Sequence, residues 1–279
     1  MPDFALKAAS IRSLSESAAL AVYPRVEEEE LALWEAYSVN NSGQVQDGLD
    51  FESRHRTYIT EQRRLDEQND DDGELLITPY VFLFEDGEKV PVHTEGPFFP
   101  LWQAYPTSPH LVNFDADHNS LFKDGMDEVL KEGHAVIGKT IDLSQDLDVN
   151  SFEEFKEYWE SSSSYSELRS DEPIGKIFFP VFQDLDHLDA DHIVALISAI
   201  LFYESYMFEV LPPDAGRMYV VIENDCDQVF TYEVVGEEAH FIGNGDLHEK
   251  GFDHLMRDEY LFDHLEDDAS RLGIILDDM

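Results

Sequence analysis

The sequence predicts an α+β fold, and three stretches predict it. The first is a pair of apolar arms, Glu172–Asp184 and His192–Glu204, joined by an Asp/His-rich turn carrying Asp184, Asp186, Asp189 and Asp191. Two apolar runs of strand length around a polar turn read as neighbouring antiparallel strands, buried on at least one face. The second is a series of shorter runs, Met218–Asn224, Val229–Val235 and Ala239–Gly243, separated by Glu223-Asn224-Asp225 and Val235-Gly236-Glu237. That spacing predicts a three-stranded meander. The third is the stretch Asp3–Tyr37, which reads as helical, with Phe4, Leu6, Ile11, Leu14 and Leu20 as an uneven apolar stripe.

The remaining elements follow in order. Asp3 suits a helix N-cap, and Pro24 interrupts the first helix. Glu27–Glu30 would sit in the first turn of a second helix, where carboxylates complement the dipole; Leu31, Leu33, Trp34 and Tyr37 follow. Asn40–Gly48 reads as a loop, and Phe51–Arg64 as a helix carrying Arg54, Arg56, Arg63 and Arg64. Leu75–Phe84 and Lys89–Val92 read as strands around Glu85-Asp86-Gly87-Glu88. Ser120–Glu132 reads as a helix, Ala135–Leu143 as a strand with Gly138 as a close-approach point, and Ser151–Glu160 as an amphipathic helix before the Ser161–Ser164 loop. Tyr203–Leu211 predicts a short helix stopped by Pro212-Pro213, and the acidic tail Asp258–Met279 a closing helix or strand.

Charge excludes several functions. Sixty-one acidic residues against 18 basic ones give a net charge of −43, which repels nucleic acid and anionic membrane surfaces. A folded chain tolerates such self-repulsion best in salt, where the Debye length falls to about 3 Å at 1 M. The single cysteine, Cys226, allows no internal disulfide and no cysteine-based metal site, and its neighbours Asp225 and Asp227 form no nucleophile signature. No apolar run is long enough to span a bilayer, and Met1-Pro2-Asp3-Phe4 does not begin a signal peptide. Gly243-x-Gly245 lacks the third glycine of a dinucleotide fingerprint.

Two stretches carry candidate chemistry. Gly96-Pro97-Phe98-Phe99-Pro100-Leu101-Trp102-Gln103-Ala104-Tyr105-Pro106 holds three prolines, which forbid regular structure, and five large apolar side chains that demand burial. An irregular buried strip either lines a ligand cavity or plugs the core. Asp115-x-Asp117-x-Asn119 begins like an EF-hand loop, so Asp115, Asp117 and Asn119 are candidate ligands for low-affinity Ca2+ or Mg2+. However, Ser120 stands where glycine is wanted and Met126 where the closing Glu belongs, and a solvated turn fits the same residues.

Several segments together resemble a known group. They are Leu14-Ser15 through Tyr23-Pro24-Arg25-Val26 with Trp34-Glu35-Ala36-Tyr37-Ser38-Val39; Gly96 through Gln103; Pro173-Ile174-Gly175-Lys176 with Phe179-Pro180-Val181-Phe182; Glu223-Asn224-Asp225-Cys226 with Phe230-Thr231-Tyr232-Glu233; and Gly243 through His248. The pattern is similar to the extracellular region of receptor-type adenylate or guanylate cyclases of diatoms and related algae, and the order of features resembles CHASE sensor domains. The resemblance spans roughly Asp3 to Asp253.

The resemblance implies a CHASE/Cache-like architecture: a helical stalk over residues 1–50, a larger PAS-like sensor sheet over 51–213, and a smaller membrane-proximal sheet with the acidic tail over 214–279. It implies an extracellular module that binds a small molecule or ion and signals through stalk helices to a cytoplasmic class III cyclase in a membrane-spanning parent. A parallel homodimer is implied, and no reaction within the module itself. For such a sensor the ligand-binding candidates are Trp102, Tyr105, Asn113 and Phe114 on the irregular cover, Thr140 on the strand after it, and Phe179, Asp184 and Ser198 on the central hairpin. The alternatives are a salt-adapted hydrolase, for which no nucleophile–base motif is present, and a dimerisation or adaptor module whose interior is filled with side chains.

Overall fold

The run Ala18–Tyr23 is too apolar to leave in water, and its burial decides the architecture. In the computed structural model, which describes residues 3–15, 17–60, 77–85, 88–142, 173–184, 186–207, 211–213, 216–224 and 226–255, this run forms strand β1 (Ala19–Pro24) inside the largest sheet. The fold is α+β, and its sheets are antiparallel. The expected Ser151–Glu160 helix, the Ser161–Ser164 loop and the Asp258–Met279 tail lie outside the described residues.

Strand β1 pairs on one side with β8 (Ile193–Phe202), from Ala19 opposite Ile200 to Pro24 opposite Ala195. On its other side it pairs with β4 (Gln103–Tyr105), Leu20 lying opposite Tyr105. Beyond β8 comes β7 (Pro173–Phe182), which also carries the two short strands β5 (Val136–Ile137) and β6 (Ile141–Asp142). The order across the sheet is β4-β1-β8-β7-β5, with β6 also on β7. The predicted hairpin is therefore present at its predicted limits, and a separate hairpin pairs β2 (Phe82–Glu85) with β3 (Glu88–Pro91).

Strand β1 corrects the expectation that the first helix runs on to Pro24. Helix α1 (Phe4–Ser15) ends before it, a single 3-10 turn (Glu28–Glu30) follows it, and only then does α2 (Leu31–Asn40) begin. The small and branched residues of Ala18–Val22 suit a strand buried on both faces as well as a buried helix, and tertiary pairing decides for the strand. The expected Asn40–Gly48 loop is likewise corrected: α3 runs from Gly43 to Thr60. The expected long strands at Leu75–Phe84 and Ala135–Leu143 shorten to β2 and to the pair β5 and β6, and the expected helix from Ser120 begins at Lys123 as α4 (Lys123–Glu132).

Side chains alternate across the large sheet, as the strand period of two requires. Ala21, Tyr23, Ala104, Phe178 and Leu196 point to one face, where Phe82, Phe99, Leu101, Phe114, Met126 and Val129 cover them. Leu20, Val22, Tyr105 and Ala199 point to the other, against Phe4, Ala5 and Ala8 of α1, Val45 of α3, Trp102 and Val112. The Phe178 ring is fully buried between two glycines: a Cβ on Gly125 would lie 2.7 Å from its Cε2, and one on Gly138 would lie 3.2 Å from it. Their missing side chains let α4 and the β5–β6 connection close on the sheet, the close approach predicted for Gly138.

After β8, α5 (Tyr203–Met207) leads to a second sheet of β9 (Arg217–Glu223), β10 (Val229–Val235) and β11 (Glu238–Asn244). It is the predicted meander, with its own core of Phe230, Tyr232 and Val234.

Candidate functional site

A cavity of about 400 Å3 opens on the α1 face of the large sheet, where α1, α3 and the chain around β4 meet. Its floor includes Phe4, Val45, Trp102 and Val112, all buried. Asp3, Asp47 and Arg54 line it from exposed positions and form its rim. Trp102 is 3% exposed and is held in place by Trp34, which meets it edge-on at 5.5 Å, and by Tyr37 at 5.7 Å. Its backbone N–H donates to the Val22 carbonyl at 2.9 Å, continuing the β1–β4 pairing, yet its indole Nε1 is buried with no hydrogen-bond partner. Thr107, also on the wall, has a buried Oγ1 with no partner, while its backbone N–H donates to Glu52 Oε1. Native structures leave few buried polar atoms unmatched, and two of them here belong to residues that line this cavity.

Gly48 sits within α3, where glycine costs about 1 kcal/mol relative to alanine. A Cβ there would lie 2.7 Å from Thr107 Oγ1. The glycine therefore lets α3 and Thr107 approach closely, at the expense of helix propensity.

The opposite face is closed. Several of its polar groups are paired with protein partners, though Asp117 Oδ1 is not. Ser198 Oγ donates to Tyr23 Oη at 3.3 Å, and burial pushes the Tyr23 phenol up to about 12. Asn113, fully buried and in the left-handed backbone region with φ 72, turns instead toward the Trp34 side: it accepts from Trp34 Nε1 at 3.0 Å and donates to Ser38 Oγ and the Thr78 carbonyl, each at 2.8 Å. Lys176, 1% exposed, donates to the Leu121 carbonyl and holds its ammonium 3.8 Å from the Phe122 ring centroid. A lysine within the otherwise apolar Pro173–Phe182 was the sequence signal for it.

The acidic candidates are held by the chain itself. Asp115 accepts the Phe99 N–H at 3.0 Å through Oδ1 and faces His118 Nδ1 at 2.7 Å through Oδ2. Asn119 Oδ1 accepts the Leu121 N–H at 3.0 Å. Asp117 Oδ1 is buried without a partner, and Lys123 Nζ and His118 Nδ1 each lie 3.9 Å from its Oδ2. Burial raises the pKa of both aspartates above the ordinary carboxylate value; the Phe99 N–H and His118 oppose the shift at Asp115, and Lys123 and His118 at Asp117. Among the described residues, no three His, Cys, Asp or Glu side chains are placed to hold a metal ion.

The eight ligand-binding candidates do not converge. Trp102, Tyr105 and Phe179 belong to the α1-face cluster, Phe114 packs on the closed face, Ser198 bonds Tyr23 on that same face, and Asn113 turns its amide to Trp34, Ser38 and Thr78. Thr140 joins the two sheets: its N–H donates to Gln228 Oε1 at 3.0 Å, its carbonyl accepts from Gln228 Nε2 at 2.9 Å, and its hydroxyl lies 3.0 Å from Tyr203 Oη. Asp184 lies in the exposed β7–β8 turn, accepting the N–H groups of Asp186 and His187. That turn stacks His187 on His192 with ring centroids 4.8 Å apart, and Asp184 and Asp189 face their Nδ1 atoms at 2.9 and 2.7 Å.

Of the expected set, Trp102 alone lines the cavity; sequence reasoning missed Thr107, Gly48 and the inner side of α1. Thr107 follows the Pro106 that ends the aromatic strip, which was the one available hint. No protein-family model matches the chain, and no curated protein matches it.

Proposed function

We propose that the chain is a ligand-sensing module, and that the cavity under α1 is its binding site. The observation that carries this reading is the cavity of about 400 Å3 between α1, α3 and the β4 chain, which α1 helps to close over Trp102. An occupant would touch Phe4, Ala5 and Leu6 of α1 together with α3 and the β4 chain. It would therefore favour the docked pose of α1 over an undocked one by its differential contacts. The N-terminal helix is the output of the switch, and the paired sheet behind it is the rigid reference.

The finer reading is an extracellular sensor of a receptor-type nucleotide cyclase, CHASE-like, with α1 as part of the lever toward a cytoplasmic class III cyclase. Support comes from the antiparallel sheet order β4-β1-β8-β7-β5 with an aromatic roof, followed by a smaller distal sheet joined through Thr140 and Gln228. The charge of −43 suits a saline exterior. Leu6, Ile11 and Leu14 are 53%, 53% and 88% exposed on α1, an apolar surface suited to the partner helix of a parallel homodimer.

The test is thermal melting of the full chain against a panel of small metabolites and divalent ions, combined with hydrogen exchange on α1. A ligand at 100 times its Kd stabilises the folded state by about 2.7 kcal/mol, and it must slow exchange in Phe4–Ser15 before it slows exchange in β10. Melting that stays fixed across the panel, or protection that bypasses α1, rejects the sensor reading and favours the filled adaptor.

A further inference from the structure

We propose that the β7–β8 turn chelates a divalent transition-metal ion of the zinc class through Nε2 of His187 and Nε2 of His192. Water completes the shell, since among the described residues no third His, Cys, Asp or Glu is placed to join them. The site is separate from the cavity, which is walled by α1, α3 and the chain around β4.

The hydrogen bonds of the turn decide which atoms are left. Asp184 Oδ1 faces His187 Nδ1 at 2.9 Å, and Asp189 Oδ1 faces His192 Nδ1 at 2.7 Å. A carboxylate only accepts, so each Nδ1 carries a proton and each neutral ring keeps its lone pair on Nε2. Carboxylates that hold Nδ1–H in this way orient metal-binding imidazoles and raise their basicity. The two histidine side chains are 57% and 37% exposed, so a solvated ion reaches them.

Spacing and support fit a shared ion. The ring centroids lie 4.8 Å apart. Two imidazoles on one tetrahedral zinc, with Zn–N bonds of about 2.0–2.1 Å, have centroids roughly 5 Å apart. Small rotations of these exposed side chains complete the fit. The backbone beneath them is tied: the His192 N–H donates to the Asp189 carbonyl at 3.0 Å, and the Gln183 N–H to the His192 carbonyl at 2.9 Å. Gly133, at the end of α4 with φ 72, brings the helix against the turn, where an added Cβ would lie 3.4 Å from Ala190 N.

The open atoms also name the ion. Asp184 Oδ1 already accepts the N–H groups of Asp186 and His187, so the donors left to the solvent include two nitrogens. Imidazole selects zinc, nickel and copper, whereas calcium and magnesium take shells of oxygen. A net charge of −43 gathers cations of every kind, and the nitrogens supply the choice among them.

The experiment is a Zn2+ titration of the full chain in excess Mg2+, followed by 15N-edited NMR of the histidine rings. His118 and His248, held by Asp115 and Asp246, serve as internal controls. The His187 and His192 rings are expected to shift together on one saturable curve while the controls stay in place. Asp189→Ala should weaken Zn2+ binding about tenfold, because its carboxylate only positions a ring. His187→Ala and His192→Ala, which each remove a ligand, should weaken it further. Running the cavity panel in His192→Ala keeps the responses of the two sites apart.

Binding abolished by Mg2+ means that carboxylates alone hold the ion, and it overturns the site. Unchanged affinity in either histidine variant overturns the chelate. A midpoint that depends on chain concentration means that the ion joins two copies, and it likewise rejects a site within one chain.

Discussion

The two faces of the large sheet are built from alternate residues of the same strands, yet they are finished differently. On one, Phe178 fills the gap between Gly125 and Gly138, and Ser198 and Lys176 direct their hydrogen bonds to protein partners. On the other, Trp102 and Thr107 line a cavity, and their buried Nε1 and Oγ1 have no hydrogen-bond partner. The contrast teaches where to look for function: the face packed solid around Phe178 holds the fold, and the face that keeps a cavity under α1 has room for something else.

The comparison can be broken most directly at Phe178. Phe178→Ala should cost about 3–5 kcal/mol in urea denaturation, because its glycine-walled slot cannot collapse onto a smaller side chain. Trp102→Phe, on the cavity face, should cost no more than about 1.5 kcal/mol by the same measurement, since an aromatic replaces an aromatic and an unmatched donor is removed. Equal losses at the two positions would erase the distinction between the faces.

Asp117→Asn sharpens it further, in the roof of the closed face. Burial raises the Asp117 pKa, so the protonated acid is favoured in the folded state. The resulting penalty is absent below the unfolded value near 3.8 and grows as pH rises through the raised folded value. The variant should therefore gain about 1 kcal/mol at pH 7 and nothing near pH 3, read from melting curves at both.

The smallest effect lies off both faces, in the β7–β8 turn. The hydrogen bond to Asp189 raises the pKa of His192. Its stabilising contribution is present below the unfolded pKa of 6.5 and is lost as pH rises through the folded value. In Asp189→Asn, the NMR titration midpoint of His192 should move back toward 6.5.

Legibility in the sequence followed locality. The β7–β8 hairpin and the β9–β10–β11 meander are joined by short polar turns, and their limits were readable to within a residue or two. Strand β1 was not: a strand covered on both faces shows no alternation, and six apolar residues beside a helix look like more helix. Gly43 and Gly48 made the start of α3 look like a loop, because the reason for Gly48, the approach of Thr107, lies on a distant segment. The site candidates scattered for a related reason. Strand parity is undetermined until register is known, so Phe179 and Ser198, each sensible alone, fell on opposite faces. Trp102 was recoverable because an aromatic in a proline-broken strip has few other uses.

The seat of β1 between β4 and β8 has a cost during synthesis. Its partner Ile200 is made long after Ala19, and at 5–20 residues per second the ribosome needs roughly 10–35 s to supply it. For that interval the stretch Ala18–Tyr23 leaves the exit tunnel greasy and unzipped, a natural client for a holdase. The dense carboxylates around it then act as the nascent chain's own guard against sticking to its neighbours.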